Sequence, residues 1–325
     1  MTKRFLLRCL GLVCLALGVS AYGLAQTFPA KPVRLIVPFP AGGGSDVVGR
    51  ILAQKLSERL GQPVFVDNRP GAGGSIGTEA AVRATPDGYT MVLASTSEIA
   101  VNPAIYSKLG YDPVNDLAPV AMVASTPMVV IVSPSLAVKS IGELISLARA
   151  KPGEINVASA GNGSFTHLAA ELFRSMTGLT WTHVPYKGAP PAITDLASGR
   201  AQVMFSTMPA AMGSIKGGLV KPIAVSSPAR TATLPDVPTV AESGVPGYEP
   251  AYWYGAFVPA ATPKDIVGKL ADAVGASLQS RDVVANLANQ GASSASLRPQ
   301  EFAQYVKAEA AKWGKVVRDA GAKLD

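Results

Sequence analysis

The chain repeats itself once, over a span far longer than any solenoid unit. "AGGGS" beginning at Ala41 and "AGNGS" beginning at Ala160 each follow a short β-rich run and open onto a helical pattern. The correspondence continues downstream. "DNRPG" ending at Gly71 matches "VPYKG" ending at Gly188, and "MVLAST" ending at Thr96 matches "VMFST" ending at Thr207. A repeat of this length implies two similar lobes rather than a stacked array. Each lobe presents a glycine loop, a basic turn and a Ser-Thr strand end.

Between these landmarks, strand and helix patterns alternate. "VRLIVPF", "PVFVDN" and "YTMVLAS" read as strands, with helices over 45–60 and 75–84 between them. In the second half, "INVASA", "TWTHVPYKG" and "AQVMFST" carry strands, and 164–176 and "PPAITDLASG" carry helices. Continuous apolar strands alternating with helices predict an α/β fold with a buried, largely parallel sheet. Two long extended stretches, "PVAMVASTPMVVIVSPS" and "GYEPAYWYGAFVPAATP", lead into and out of the second half. Two crossings mean that the C-terminal segment completes the first lobe. The expected lobes are therefore 26–125 with 251–325, and 126–250. The C-terminal part holds two helical patterns, 263–290 and 299–321.

The N-terminus reads as a leader. Lys3, Arg4 and Arg8 precede the short apolar run "CLGLVCLALGV", and Gly23 and Ala25 supply small residues for cleavage after Ala25. That run is too short and wrongly flanked for a membrane span. Both cysteines, Cys9 and Cys14, would leave with it, so the exported chain has no disulfide and no thiolate metal site. Removing the three leader cations lowers the formal charge from +7 to +4. The remaining cations are scattered, which suits a small acidic ligand better than nucleic acid. The expected location is the periplasm.

A glycine loop at a helix start is an anion site in outline. The first N–H groups lack intrahelical partners and carry the positive end of the helix dipole, and glycine lets a ligand approach the backbone. Ser45 and Ser164 can cap the helices or donate to the anion. Neither loop completes a nucleotide-phosphate motif or contains a cation, so a carboxylate held by neutral donors is the natural guest. The hydroxyls of Ser95, Thr96, Ser206 and Thr207, at strand ends, can add to it. Asp46 either complements the dipole in the first helical turn or grips a ligand amine. No cofactor is expected.

The enzyme alternative is an exported serine hydrolase. "GGSIG" formally matches G-x-S-x-G around Ser75, but a loop separates Ser75 from the preceding strand, and Ser75 reads better as an N-cap than as a nucleophile elbow. His167 and His183, read as far apart and without a nearby carboxylate at ligand spacing, suggest neither a triad nor zinc. In "YWYG", Tyr252 and Tyr254 alternate with Trp253, so two rings face one way and one the other. Cleft closure and lobe packing both fit.

"PFPAGGGSD", "DNRPGAGGSIG", "YDPVNDLAPVA", "HVPYKG" and "LPDVPTVAESGVPGYE", in this order, make the chain resemble the extracytoplasmic solute receptors of tripartite tricarboxylate transporters, the Bug family. The resemblance covers essentially the whole exported chain. It implies a two-lobed, type II-like periplasmic binding-protein fold, its ligand cleft between lobes joined by two crossover strands. It also implies a small organic acid held largely by loop backbone donors, with transporter membrane subunits or a sensor kinase's periplasmic domain as partners. Carried over, the family's binding loops fall on Phe39, Ala41, Gly42, Gly43, Gly44, Ser45 and Asp46; on Ser95, Thr96 and Ser97; on Ser159, Ala160, Gly161, Asn162, Gly163 and Ser164; and on Ser206 and Thr207. Ser75 stands where many members have asparagine. Members bind diverse acids, so the resemblance names no ligand.

Overall fold

A computed structural model describes residues 28–319; the expected leader, 1–25, with its cleavage point, lies outside the described residues. The chain opens with β1 (Val33–Val37), α1 (Gly44–Leu60), β2 (Val64–Asn68), α2 (Ser75–Val82) and β3 (Thr90–Ser95). β1 pairs in parallel with both β2 and β3. A π-helical turn, Ser97–Val101, then runs into the short α3 (Asn102–Ile105).

Next comes β4 (Leu117–Val132), followed by α4 (Ile141–Ala150), β5 (Asn156–Ser159), α5 (Phe165–Thr177), β6 (Thr182–Pro185), α6 (Ala189–Ala197), β7 (Val203–Thr207), α7 (Met208–Lys216) and β8 (Lys221–Val225). The chain returns through β9 (Ala251–Pro259) and ends in α8 (Lys264–Leu278), α9 (Arg281–Asn289), β10 (Ser293–Ser294) and α10 (Pro299–Asp319).

β4 belongs to two sheets. From Leu117 to Pro127 it pairs antiparallel with β9, and from Met128 to Val132 with β7 and β8. The change of partner falls at Pro127, which has no N–H to give the ladder. The strand order is β2-β1-β3-β9-β4-β7-β5-β6, with β5 parallel to β6 and β7. The sheet is thus mixed at its centre, where sequence alternation suggests mostly parallel pairing. The reason is topological: the outgoing stretch β4 and the returning stretch β9 lie side by side and run in opposite directions.

Local chemistry sets the helices. α1 starts at Gly43 in extended conformation, carries Asp46 in its first turn and Arg59 in its last, and stops at left-handed Gly61. Its apolar face, Val48, Leu52 and Leu56, is buried against the sheet. The pattern read over 263–290 is two helices, not one. Ser280 adopts an extended N-cap conformation, and its hydroxyl bonds back to the Ser277 carbonyl, so α8 ends and α9 begins there.

Candidate functional site

Four helices begin around one small cavity. Its walls include Gly44, first residue of α1; Phe165, first of α5; Ala189, first of α6; and Thr207, the N-cap of α7. Phe39, Gly43, Ser45, Ser97, Ala160, Ser164, Thr166, Tyr252 and Tyr254 complete them, and none of these residues is charged. The cavity volume is about 30 Å³. A water needs at least about 10–15 Å³ of such space, so the cavity admits a group the size of a carboxylate and no larger body. Phe39 and Ala160 also border an outer groove of about 560 Å³, walled by Pro40, Pro70, Gly71, Gly161, Asn162, Tyr186 and Lys187 among others.

The two glycine loops, alike in sequence, differ in what their donors do. In the first, α1 has no side-chain cap, so its leading N–H groups are left for a guest. Ser45 is inside the helix rather than capping it, and Gly43 is the N-cap. Gly44 has no room for a side chain: a Cβ there would stand 2.5 Å from Thr207 Oγ1 and 2.7 Å from Tyr254 OH. The second loop is braced by its own hydroxyls. Ser164 is the N-cap of α5 and also donates to the Gly161 carbonyl at 2.7 Å. Thr166 Oγ1 accepts from Ala160 N at 2.8 Å. The Phe165 N–H donates to Ser97 Oγ at 3.1 Å, linking α5 to the turn that follows β3.

Asp46 does not line the cavity. Its carboxylate accepts from Gly42 N and Arg50 Nε, both at 2.9 Å, and from Asn68 Nδ2 at 3.0 Å. Burial raises its pKa, but the bonds from Arg50, Gly42 and Asn68 and the Arg50 charge outweigh it, and the net shift is downward. The acceptor capacity is spent on holding the loop: Gly42 sits at φ +79, and Asn68 also donates to the Phe39 carbonyl. Of Asp46's two sequence readings, the structural one fits these contacts.

The other expected residues separate in the same way. Ser97 and Thr207 line the cavity, and Gly161 and Asn162 line the outer groove. Ala41, Gly42, Gly163, Ser95, Thr96, Ser159 and Ser206 line neither. Thr96 Oγ1 instead accepts from Trp253 N at 3.0 Å, Ser206 Oγ bonds the Thr207 carbonyl, and Ser159 Oγ is 2.7 Å from His183 Nε2.

β9 divides its aromatics as alternation suggests. Tyr252 and Tyr254 face the cavity, edge to face at 5.0 Å. Trp253 points to α10, where Glu309 accepts from its indole N–H and from that of Trp313. Tyr254 OH is buried and has no hydrogen-bond partner among the described residues.

Two sequence readings need correction. His167 and His183 are not far apart: their rings stack at 3.9 Å, within 6° of parallel, because β6 and the start of α5 flank the same loop. Burial lowers both pKa values, with His167 adding to the shift of His183, which falls to about 4. Ser75 is the first residue of α2 rather than its N-cap, which is Gly74, and Ser75 Oγ accepts from Asn102 Nδ2 at 2.9 Å. The stacked histidines bond elsewhere, to Ser159 and to Gly163 N, so no Ser-His pair forms at Ser75.

Sequence reasoning missed Phe165, Thr166 and Ala189 as lining residues and left Tyr252 and Tyr254 between cleft closure and lobe packing. Part of the signal was present: Pro190 and Pro209 each stand just inside a helix start, where proline is favoured, and so marked the beginnings of α6 and α7.

The family described as tripartite tricarboxylate transporter family receptor matches residues 48–322. Protein BugT of Bordetella pertussis is 39% identical over 320 residues, covering 98% of each chain. Rpa4515 of R. palustris, solved with adipate, is 40% identical at a TM-score of 0.89, covering 91% of this chain and 100% of its own. MatC of Rhodopseudomonas palustris, solved with bound malate, is 32% identical at a TM-score of 0.83, covering 89% of this chain and 100% of its own.

Proposed function

The chain belongs to the tripartite tricarboxylate transporter receptor family, and we propose that it holds the carboxylate of a small organic acid at the shared start of α1, α5, α6 and α7. The family's members are periplasmic solute receptors, not enzymes, and the fold is that of a two-lobed periplasmic binding protein. Among the described residues no helix is long and apolar enough to cross a membrane.

The observation that carries the reading is the convergence of four helix N-termini on a cavity without a charged side chain. All four helix starts present a positive dipole end, and the uncapped α1 adds unpaired N–H groups, whereas the start of α5 is braced by Ser164 and Ser97 and those of α6 and α7 carry prolines. A guest with negative charge gains from both the hydrogen bonds and the dipoles, a neutral acceptor from the hydrogen bonds alone, and a cation from neither. Ser45, Ser97, Thr207 and the unpartnered hydroxyl of Tyr254 supply further neutral donors. The carboxylate enters the small cavity and the body of the acid extends into the outer groove. The adipate and malate complexes of the relatives support a carboxylate ligand.

The lobes, 26–125 with 251–325 and 126–250, part about the place where β4 changes sheets, opposite the start of β9. A leader cleaved after Ala25 delivers the chain to the periplasm. The loaded receptor presents its acid to transporter membrane subunits or to a sensor.

The test is a thermal-shift screen on protein refolded free of ligand, against mono-, di- and tricarboxylates, amino acids and uncharged analogues such as the diamide of adipic acid. A ligand at 100 times its Kd adds about 2.7 kcal/mol, or several degrees at roughly 2–4 °C per kcal/mol. Stabilisation by acids and not by their amides is the expected result. A screen in which amides match the acids refutes the anion site.

A further inference from the structure

Behind the cavity wall lies a carboxyl group that the sequence does not advertise. Glu98, in the π-helical turn after β3, is wholly buried. Its Oε2 accepts from Ser95 N at 3.1 Å and bonds Ser95 Oγ, while its Oε1 has no partner among the described residues. Gly74 makes room for it, since a Cβ there would stand 2.8 Å from Oε1.

Among the described residues no cation contributes to the electrostatics of this carboxyl. Tyr111 donates its hydroxyl to the Glu98 carbonyl, and β9 brings Tyr252 and Tyr254. α10, packed on the same turn, carries Glu309, which holds the two indoles, and Lys312, 3.5 Å from Glu309. The Gly73–Gly74 turn and Asn102 contribute neutral groups. Burial pushes the Glu98 carboxyl up to about 7, against smaller opposing hydrogen bonds from Ser95.

A chain of hydroxyls connects Glu98 to the cavity. Ser95 Oγ is 2.5 Å from Tyr252 OH, and Tyr252 OH is 3.3 Å from Ser97 Oγ. Tyr252 and Ser97 line the cavity. In both contacts either oxygen can be the donor, and each hydroxyl has one proton to give, so the state of Glu98 sets the direction of the row. With Glu98 ionised, Ser95 donates to it, Tyr252 to Ser95 and Ser97 to Tyr252, which leaves lone pairs toward the cavity. With Glu98 protonated on Oε2, it donates to Ser95 and the order reverses. Tyr252 and Ser97 can then turn a proton outward.

A carboxylate guest is better served by the second arrangement, which frees the Tyr252 proton as well as that of Ser97. We propose that an anion enters this cavity together with one proton, held on Glu98, which turns the Ser95–Tyr252–Ser97 hydroxyls into outward donors. The inference rests on the carboxylate reading above. The proton comes from solvent and returns to it on release, with hydroxyl rotation and no other bond made or broken. Glu98 is a positioning residue, acting through hydroxyls that meet the ligand.

The experiment is titration calorimetry of adipate and of malate, from about pH 7 to about pH 9, in buffers of different ionisation heat. Wild type should take up close to one proton per ligand at the alkaline end, its affinity falling about tenfold per pH unit there. In Glu98→Gln the amide can donate to Ser95 at every pH, so its affinity should be flat and its heat independent of buffer. Ser95→Ala, which cuts the row but leaves the carboxyl, should bind without proton uptake. Buffer-independent binding by wild type, a pH slope that survives Glu98→Gln, or unchanged uptake in Ser95→Ala each overturns the proposal while the receptor reading stands. If neither acid binds wild type at any pH, the carboxylate reading fails for these probes, and this inference fails with it.

Discussion

Replacing Gly44 by alanine adds one methyl group where three elements meet. That Cβ would lie 2.5 Å from Thr207 Oγ1 and 2.7 Å from Tyr254 OH, whereas contacts become ordinary only from 3.4 Å. Neither neighbour can swing clear: Thr207 is the junction of β7 and α7, and Tyr254 is wholly buried between β3 and β4. Overpacking by a methylene costs about 1–3 kcal/mol. Here that cost falls on the closed arrangement, because Gly44 follows β1 in one sheet and Thr207 ends β7 in the other. Parting the sheets relieves the overlap with Thr207. The helix itself does not suffer, since alanine is favoured over glycine by up to about 1 kcal/mol. Calorimetry with the acid found in the screen should therefore show affinity reduced roughly 10- to 100-fold, at 1.4 kcal/mol per tenfold. The overlap with Tyr254, in the same sheet as β1, persists when the sheets part, so the unliganded Tm should also fall, but by less than the full overpacking cost would give at roughly 2–4 °C per kcal/mol. A variant that binds like the parent would place the anion elsewhere. One that loses stability without ligand while binding like the parent would show that the contact belongs to a permanent core and not to a closing cleft.

Three further outcomes are expected. Tyr254→Phe removes a buried hydroxyl without a partner, so chemical denaturation should show stability unchanged or up to about 1 kcal/mol higher, while ligand affinity falls by the ~1.5–3 kcal/mol of a bond to a charged group; stability falling with affinity intact would refute it. Glu98 titrates higher in the fold, at about 7, than its ordinary 4.5, so its stabilising contribution is full below 4.5 and is lost as pH rises through 7. Relative to Glu98→Gln, wild type should therefore lose on the order of 3 kcal/mol across that window, and parallel stability curves for the two proteins would contradict the burial argument. His183 titrates lower in the fold, at about 4, than its ordinary 6.5, so stability should be full above 6.5 and decline as pH falls toward 4. His183→Gln should flatten that decline in urea melts taken across the window, and an unchanged slope would mean that the stacked pair does not carry it.

Much of the fold follows from residues close together in the chain. Helix starts and stops depend on local hydrogen bonding and backbone freedom, so Gly43, Gly61, Ser164 and Pro299 mark their helices wherever the rest of the chain lies. The apolar runs of β1, β3, β4 and β7 are buried as their composition requires. The alternation of "YWYG" shows that Trp253 faces away from its two tyrosines before any partner is known.

The glycine loops show where such reasoning ends. "AGGGS" and "AGNGS" are near equivalents in sequence, yet one leaves its helix uncapped and the other is braced by Ser164, Thr166 and a hydroxyl from Ser97. Asp46 can serve a dipole or a ligand on local grounds alone. Asn68, at the end of β2, brings a hydrogen bond that only the β1–β2 register delivers. Glu98 carries no signal in the sequence, and its place is set only when β9 brings Tyr252 against Ser95 and the Gly73–Gly74 turn closes over its carboxyl. The stacking of His167 on His183 likewise needs β6 beside the start of α5. The sequence by itself determined α1, α2, α5, α6 and α10, the apolar strands and the family, because periodicity, capping and motif order are properties of neighbouring residues. Only the tertiary structure decided which polar groups are already satisfied and which remain for a guest, because a hydrogen bond between distant residues depends on strand register and helix placement across the whole chain.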